Sequence, residues 1–157
     1  MTITDILSVE RVIPELQART KEEVLEEVAR LVAPALGAGS GVSSATVATV
    51  LRERERLNST AIGEGIAIPH GRLSGIERVV AGFARSSAGV DFESVDRQPT
   101  RLFFVIIAPD DAAAMHLKAL ARISRLLKDR DFRERLLGLD TREALYDAIV
   151  AEDAKLH

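Results

Sequence analysis

Apolar side chains recur every three or four residues in several stretches of the chain, which is the spacing of an amphipathic helix. The stretch from Lys21 to Leu36 has this spacing and stops before Gly37. Thr20 precedes it and forms a capping pair with Glu23. Because a capping box begins helices and glycine often follows their last turn, the sequence predicts a helix here. The other predicted helices run from a cap at Ser43 or Ser44 to Leu57, from Asp110 or Asp111 to Lys128, over residues 131–137, and from a cap at Asp140 and Glu143 through Ile149.

Short apolar runs of strand length alternate with these helices. The run RLFFVIIA at residues 101–108 is apolar almost throughout, which is typical of a strand buried on both faces. The other predicted strands are VVAGFARS (79–86), IAI (66–68) and an edge strand in RVIPEL (11–16), and the predicted loop and turn are GAGSG (37–41) and DRQP (96–99). The alternation predicts an α/β fold: a single-domain three-layer sandwich whose mixed, mostly parallel sheet carries helices on both faces.

The composition limits the class of protein. The chain has 157 residues, which suits one domain, and a net charge of -3, which argues against a nucleic-acid binder. No apolar run approaches the roughly 20 residues that span a bilayer, and the first residues carry no secretion signal. The absence of cysteine excludes disulfides, thiol catalysis and cysteine-based zinc sites. We therefore expect a cytoplasmic protein without a cofactor and without direct membrane insertion.

One glycine-spaced segment, AIGEGIAIPHGRL at residues 61–73, contains His70. It lacks both the GxGxxG and the GxxxxGK[ST] pattern, which argues against a nucleotide site. Pro69 fixes its own φ and disfavours a helical Ile68, so we predict that His70 lies in a loop just past a short strand. From the residues alone, a structural histidine and a reactive one both remain open, and the structural reading is the commoner.

A second histidine, His116, shares a helical stripe with Leu120, Ile123 and Leu127. This stripe predicts that His116 faces inward. It is then either a buried histidine satisfied by a backbone carbonyl or a partner that meets His70 across the strand ends. Two histidines are too few for an ordinary zinc site, which takes three or four protein ligands, so no metal is predicted.

The segment RERERLNST at residues 52–60 precedes the glycine-rich stretch. It is either a solvated helix end, where basic groups favour the helix dipole, or a rim with functional groups. In the second reading Arg54 reaches an oxyanion, and Ser59 and Thr60 donate hydrogen bonds. A neutral imidazole is a good nucleophile near pH 7, so these groups around His70 suggest a phosphoryl acceptor.

The string NSTAIGEGIAIPHG at residues 58–71 resembles the phosphorylation-site signature of enzyme IIA of the fructose/mannitol type in the phosphoenolpyruvate-dependent phosphotransferase system. LRERERL, DRQPTRLFFVIIAP and HLKALARISRLLKD follow the same family in the same order, and the resemblance runs from about Leu7 to Ile149. It implies one EIIA type 2 domain over residues 1–157, with a core at about 7–150. Within the family, the chain resembles the nitrogen-regulatory branch most.

The resemblance also implies roles for particular residues. His70 would carry the phosphoryl group on its tele nitrogen, and His116 would be the second active-site histidine. Arg54 would help bind the phosphoryl group or the partner, and Ser59, Thr60 and Gly71 would lie beside the site. The donor would be a phosphohistidine carrier of the HPr or NPr type. The targets would be regulatory partners, among them a kinase or potassium transport components.

Two other functions of the same fold remain open. One is a sugar-specific enzyme IIA that passes phosphate to a separate IIB protein, and the other is a binding module that is no longer phosphorylated. Because the usual IIB acceptor needs a cysteine, we do not expect this chain alone to phosphorylate or transport a sugar. Ala61 and Glu64 depart from the family pattern. Glu64 would add a negative charge near the phosphate or point to solvent.

Overall fold

The computed structural model describes residues 1–37 and 41–156, so part of the predicted GAGSG loop lies outside the described residues. The described chain contains six strands, five α-helices and three short 3-10 segments. The strands are β1 (Val12–Ile13), β2 (Ala61–Gly63), β3 (Ile66–Ala67), β4 (His70–Leu73), β5 (Val80–Val90) and β6 (Thr100–Pro109). The helices are α1 (Lys21–Val32), α2 (Ser44–Leu57), α3 (Ala113–Leu126), α4 (Arg130–Gly138) and α5 (Arg142–Asp153), and the 3-10 segments are Ile3–Asp5, Val9–Arg11 and Ala33–Leu36.

All six strands form one mixed sheet in the order β1-β5-β6-β3-β2, with β4 also paired to β6. The β1/β5, β3/β6 and β4/β6 pairs are parallel, and the β2/β3 and β5/β6 pairs are antiparallel. β3 lies beside Leu102 and Phe103, and β4 lies further along the same side of β6, beside Ile106–Pro109. The segment that ends in β4 therefore follows β6 as a parallel strand with one interruption.

β6 supplies side chains to two separate cores, one on each face of the sheet. Phe103, Val105 and Ile107 pack in the core formed with α1 and α2. The alternate residues Phe104 and Ile106 pack in the core formed with α3, α4 and α5. Since strand side chains point to opposite faces in turn, this confirms both the predicted doubly buried strand and the three-layer α/β architecture.

Two predicted helix starts are confirmed by their hydrogen bonds. Thr20 Oγ1 accepts from the Glu23 backbone nitrogen at 3.2 Å, and the Glu23 side chain accepts from the Thr20 nitrogen at 3.1 Å. Ser43 caps α2 by accepting from the Thr46 nitrogen. These bonds satisfy backbone donors that a helix start leaves without a partner.

Two other predicted caps are wrong. α3 begins at Ala113 without a side-chain cap, because the chain continues as a strand through Pro109 and the Asp110 nitrogen still donates to the Leu73 carbonyl. Asp110 and Asp111 therefore do not begin the helix. α5 is capped by Thr141, whose hydroxyl accepts from the Ala144 nitrogen, rather than by Asp140. Among the described helices, none has the length and apolar character to cross a membrane.

Helix α2 packs directly on the start of β4 at Gly71. A Cβ added at Gly71 would lie 2.4 Å from Val50 Cγ1, well inside van der Waals contact. Glycine at this position therefore allows α2 to approach the strand that carries His70.

We expect Gly71→Ala to lower the free energy of unfolding by about 1–3 kcal/mol, because the new methyl group overlaps Val50. Urea denaturation measures the change. In the Val50→Ala background the same substitution should cost much less. Gly138→Ala is the control, since its new methyl group meets nothing within 4 Å. Equal costs of Gly71→Ala with Val50 and with Ala at position 50 would contradict the contact.

Candidate functional site

His70 is the first residue of β4 and pairs with Ile106 in β6, so the predicted position in a loop past the strand is wrong. The physical reason is that pairing with β6 resumes after a short break at Ile68 and Pro69. Proline has no N–H to donate to a ladder, but its carbonyl accepts from the Ile106 nitrogen at 3.0 Å. The break therefore spans only Ile68 and Pro69 and leaves His70 on a regular, anchored strand.

The imidazole of His70 has a defined tautomer. Its Nδ1 lies 2.7 Å from the backbone oxygen of Ile68. A carbonyl oxygen only accepts hydrogen bonds, so Nδ1 carries the proton and Nε2 carries the lone pair. Burial lowers the pKa of His70, and the positive charge of Arg54 lowers it further, although the hydrogen bond to Ile68 acts in the opposite direction. The ring is thus a neutral nucleophile near pH 7.

An open cleft of about 560 Å³ surrounds His70 at the edge of the sheet. It lies between α2, from one helical layer, and α3, from the other. Its walls are Val50, Glu53, Arg54 and Leu57 from α2, His70, Gly71 and Arg72 from β4, and Ala113, His116, Leu117 and Leu120 from α3. Residues more than 60 positions apart in the sequence therefore meet in one site.

His116 lies against His70, which confirms the alternative prediction that the two histidines meet. The ring centroids are 5.3 Å apart with an interplanar angle of 70°. His116 is 8% exposed, and its Nε2 has no hydrogen-bond partner among the described residues. Burial, with smaller effects of His70 and Arg72, lowers the pKa of His116 to about 4. The site thus contains two neutral imidazoles, one of which leaves a buried polar atom available.

Arg54 reaches the cleft from the last turns of α2. Its Nη1 donates to the backbone oxygen of Asn58 at 3.0 Å and to Asn58 Oδ1 at 3.2 Å. Because arginine has five N–H donors, the guanidinium can hold the end of α2 and still offer donors to an anion. The structure therefore brings together Arg54, His70 and His116, three of the residues predicted from the sequence, and Gly71 lies beside them.

Ser59 and Thr60 are not brought into this cleft. The Ser59 hydroxyl donates to the Phe92 carbonyl at 2.7 Å. Thr60 is 3% exposed, and both its backbone nitrogen and its hydroxyl donate to Glu55 Oε1. Their hydroxyl groups thus hold the segment that leads to β2.

Glu64 also lies away from His70. Its side chain is 71% exposed and forms an ion pair with Arg133 at 3.0 Å. Its backbone has a φ of 57° and its nitrogen donates to Asp96 Oδ2 at 2.8 Å. The carboxylate of Glu64 therefore points to solvent, which was one of the two expectations for it.

Sequence reasoning missed Glu55, which is 7% exposed although it belongs to the charged string RERER. The signal was present in the helical spacing, because Val47, Ala48, Leu51 and Glu55 lie on one buried face of α2. Leu57 and Leu117, which the sequence did not single out, are exposed apolar side chains at the rim of the cleft. An exposed leucine has no distinctive pattern in a sequence.

Comparisons with known proteins identify the family and agree with the fold. The family model described as "Phosphoenolpyruvate-dependent sugar phosphotransferase system, EIIA 2" matches residues 5–152. The chain is 41% identical over 154 residues to a nitrogen regulatory protein of Bradyrhizobium diazoefficiens, covering 98% of both chains. It is 35% identical to the fructose-specific EIIABC component of Bacillus subtilis, of which it spans 24%. The crystal structure of the nitrogen regulatory protein IIA-Ntr from Neisseria meningitidis has a TM-score of 0.86 at 29% identity, covering 94% of this chain and 98% of that chain.

The low pKa of His116 predicts a loss of stability in mild acid. Between pH 7 and pH 5 the unfolded chain binds a proton at His116 that the folded chain does not, so stability falls as the pH falls. With a folded pKa of about 4 against the ordinary 6.5, the loss over this range is about 2 kcal/mol.

Urea unfolding of the wild type and His116→Gln at pH 7 and pH 5 measures this difference. The variant should lack about 2 kcal/mol of the pH-dependent loss. Lys118→Gln, an exposed change on the same helix, should retain the full loss. A His116→Gln protein with the wild-type pH dependence would contradict the assigned pKa.

Proposed function

The chain belongs to the EIIA type 2 family of the phosphoenolpyruvate-dependent sugar phosphotransferase system, and we propose that it is a phosphocarrier whose acceptor is His70. We further propose that it accepts the phosphoryl group from a phosphohistidine carrier of the HPr or NPr type and acts as a nitrogen-related regulatory protein. The observation that carries the proposal is the tautomer of His70. Its Nδ1 is bound to the Ile68 carbonyl, which leaves the lone pair on Nε2 for the reaction.

In the proposed step, Nε2 of His70 attacks the phosphorus of the carrier's phosphohistidine. A new N–P bond forms, the N–P bond of the carrier breaks, and the electron pair of that bond returns to the carrier's imidazole. The Nδ1 proton of His70 stays in its hydrogen bond with Ile68. Phosphoryl transfer depends mainly on in-line positioning and on stabilising charge on the phosphoryl oxygens, and both can be supplied by fixed side chains.

We assign that stabilisation to Arg54 and His116. Arg54 lines the cleft with donors in addition to those on Asn58. His116 lies beside His70 with a buried, unpartnered Nε2, and a phosphoryl oxygen would provide its missing partner. A phosphohistidine carries about two negative charges, as other phosphorylated side chains do, and these would raise the pKa of His116 from its resting value.

The apolar rim of the cleft fits a protein partner. Leu57 is 81% exposed and Leu117 is 67% exposed, on opposite sides of His70. Large apolar side chains around a charged centre are typical of sites where a protein docks. Members of this family receive phosphate from phosphocarrier proteins and work with IIB partners, so we place the docking of the donor on this rim.

The regulatory branch is favoured over the sugar branch by sequence identity. The chain is 41% identical to the nitrogen regulatory protein of Bradyrhizobium diazoefficiens, against 35% to the fructose-specific EIIABC component of Bacillus subtilis and 33% to a fructose-specific EIIA component of Haloferax volcanii. We propose that residues 1–157 form one EIIA type 2 domain with its core at about 7–150, which the family match to residues 5–152 supports. We place it in the cytoplasm, with the carriers of this system. Its regulatory targets would bind the two phosphorylation states differently.

The first test is labelling. Incubation with enzyme I, an HPr-type carrier and labelled phosphoenolpyruvate should label the protein, and the label should be acid-labile. His70→Ala should remove the label because it removes the nucleophile. His157→Ala removes another of the three histidines and should keep it. Labelling that survives in His70→Ala defeats the assignment, and efficient transfer onward to a purified IIB would favour the sugar branch.

The second test addresses the docking rim. Leu117→Glu should lower kcat/KM for phosphorylation by the carrier roughly tenfold or more, because it places a charge at the centre of an apolar contact. Val95→Glu is the matched control, since Val95 is 93% exposed and does not line the cleft. Equal rates for both variants would move the docking surface away from this rim.

A further inference from the structure

Glu55 is a buried carboxylate behind the site, on the face of α2 that packs on the sheet. A buried charge is costly unless it is paired and hydrogen-bonded. Here Oε2 lies 2.7 Å from Lys21 Nζ, and Oε1 accepts from the Thr60 nitrogen at 2.9 Å and from the Thr60 hydroxyl. Oε2 is therefore balanced by the charge of Lys21, whereas Oε1 accepts the hydrogen bonds from Thr60.

Lys21 supplies the charge that balances Glu55. Its Nζ also lies 3.2 Å from Glu93 Oε1 and 5.1 Å from the centre of the Phe92 ring. Burial opposes a charge at this position, but the Glu55 and Glu93 carboxylates outweigh burial and raise the pKa of Lys21. Lys21 therefore stays charged beside Glu55 Oε2, and Oε1 is left to accept from Thr60.

Three hydrogen bonds connect Glu55 to the reactive imidazole. Glu55 holds the Thr60 backbone, the Thr60 carbonyl accepts from the Ile68 nitrogen at 3.0 Å, and the Ile68 carbonyl accepts from His70 Nδ1 at 2.7 Å. The middle hydrogen bond, from the Ile68 nitrogen to the Thr60 carbonyl, joins two backbone groups. A displacement of Thr60 therefore displaces the carbonyl that selects the tautomer of His70.

Strand pairing gives little support to the β2 side of this segment, whereas β3 also pairs with Leu102 and Phe103 of β6. β2 has three residues and β3 has two, with an irregular register between Ala61 and Gly63. A hairpin of such short strands is marginal without other contacts. The carboxylate of Glu55, on α2, holds Thr60 immediately before β2.

We propose that Glu55 is a positioning residue for His70, which acts through Thr60 and Ile68 to keep the proton on Nδ1 and the lone pair on Nε2. Glu55 does not touch the reacting atoms. Its effect on the rate of phosphorylation rests on the proposed function, whereas its effect on the tautomer does not.

The tautomer is measured by ¹⁵N NMR of the histidine side chains in the unphosphorylated protein at pH 8, with His70 assigned by the signals that His70→Gln removes. The wild type should show a protonated Nδ1 and an unprotonated Nε2. Glu55→Leu should show a mixture of tautomers, because the backbone nitrogen and hydroxyl of Thr60 then lose their acceptor. Glu55→Gln should restore the wild-type signals, because its side-chain oxygen can accept from Thr60.

Two further variants separate positioning from loss of stability. Lys21→Met should destabilise the protein but keep the tautomer, since Glu55 Oε1 still accepts from Thr60. Glu55→Asp covers the case in which Glu55→Leu does not fold. The aspartate side chain is one methylene shorter. The flexible Lys21 side chain can move to keep the ion pair, whereas the Thr60 backbone loses its hydrogen bond. A wild-type tautomer in folded Glu55→Leu or Glu55→Asp, or a mixture in Lys21→Met equal to theirs, would overturn the proposal.

The rate provides the second readout. Phosphorylation by an HPr-type carrier should be roughly tenfold to a hundredfold slower in Glu55→Leu than in Glu55→Gln, since small misplacements of reacting groups cost this much. If the wild type itself is not labelled at His70, the proposed function fails while the NMR result still decides the role of Glu55. If labelling is normal and the tautomer does not depend on Glu55, the positioning role alone fails.

Discussion

The hydrogen bond between His70 Nδ1 and the Ile68 carbonyl is the contact on which the chemistry of this site depends. It uses one ring nitrogen in a hydrogen bond within the protein and leaves the lone pair of the other for the proposed phosphoryl transfer. The bond exists because Pro69 interrupts the strand that runs beside β6, so that Ile68 lies in the gap between β3 and β4. A strand that continued without this gap would place the same groups in a ladder.

The rest of the site depends on packing in two separate cores. α2 packs on one face of the sheet and brings Arg54, and α3 packs on the other face and brings His116. β6 contributes alternate side chains to both cores, so the distance between the two helices across the cleft is set by the thickness of the sheet and its side chains. Gly71 adds the close approach of α2 to the strand of His70.

Much of this could be predicted from the sequence where local chemistry decides the structure. The Thr20–Glu23 cap, the doubly buried β6 and the inward stripe that carries His116 all follow from spacing. The errors arose where distant contacts prevail. Asp110 is held by Leu73 instead of starting a helix, and His70 belongs to a strand because β6 is beside it. The helical spacing of α2 places Glu55 on the buried face, but no local pattern indicates its partner Lys21, 34 positions earlier in the sequence.

Nε2 of His116, which has no hydrogen-bond partner among the described residues, has a consequence for the equilibrium of phosphoryl transfer. A buried polar atom without a partner raises the free energy of the resting state by about 1–3 kcal/mol. A phosphoryl group on His70 that occupies this position would remove the penalty, so the phosphorylated form would gain that much relative to a site without His116. Such a gain lowers the group-transfer potential of the phosphohistidine. The chain would then draw phosphate from its carrier and release it less readily, which suits a protein that stores a signal.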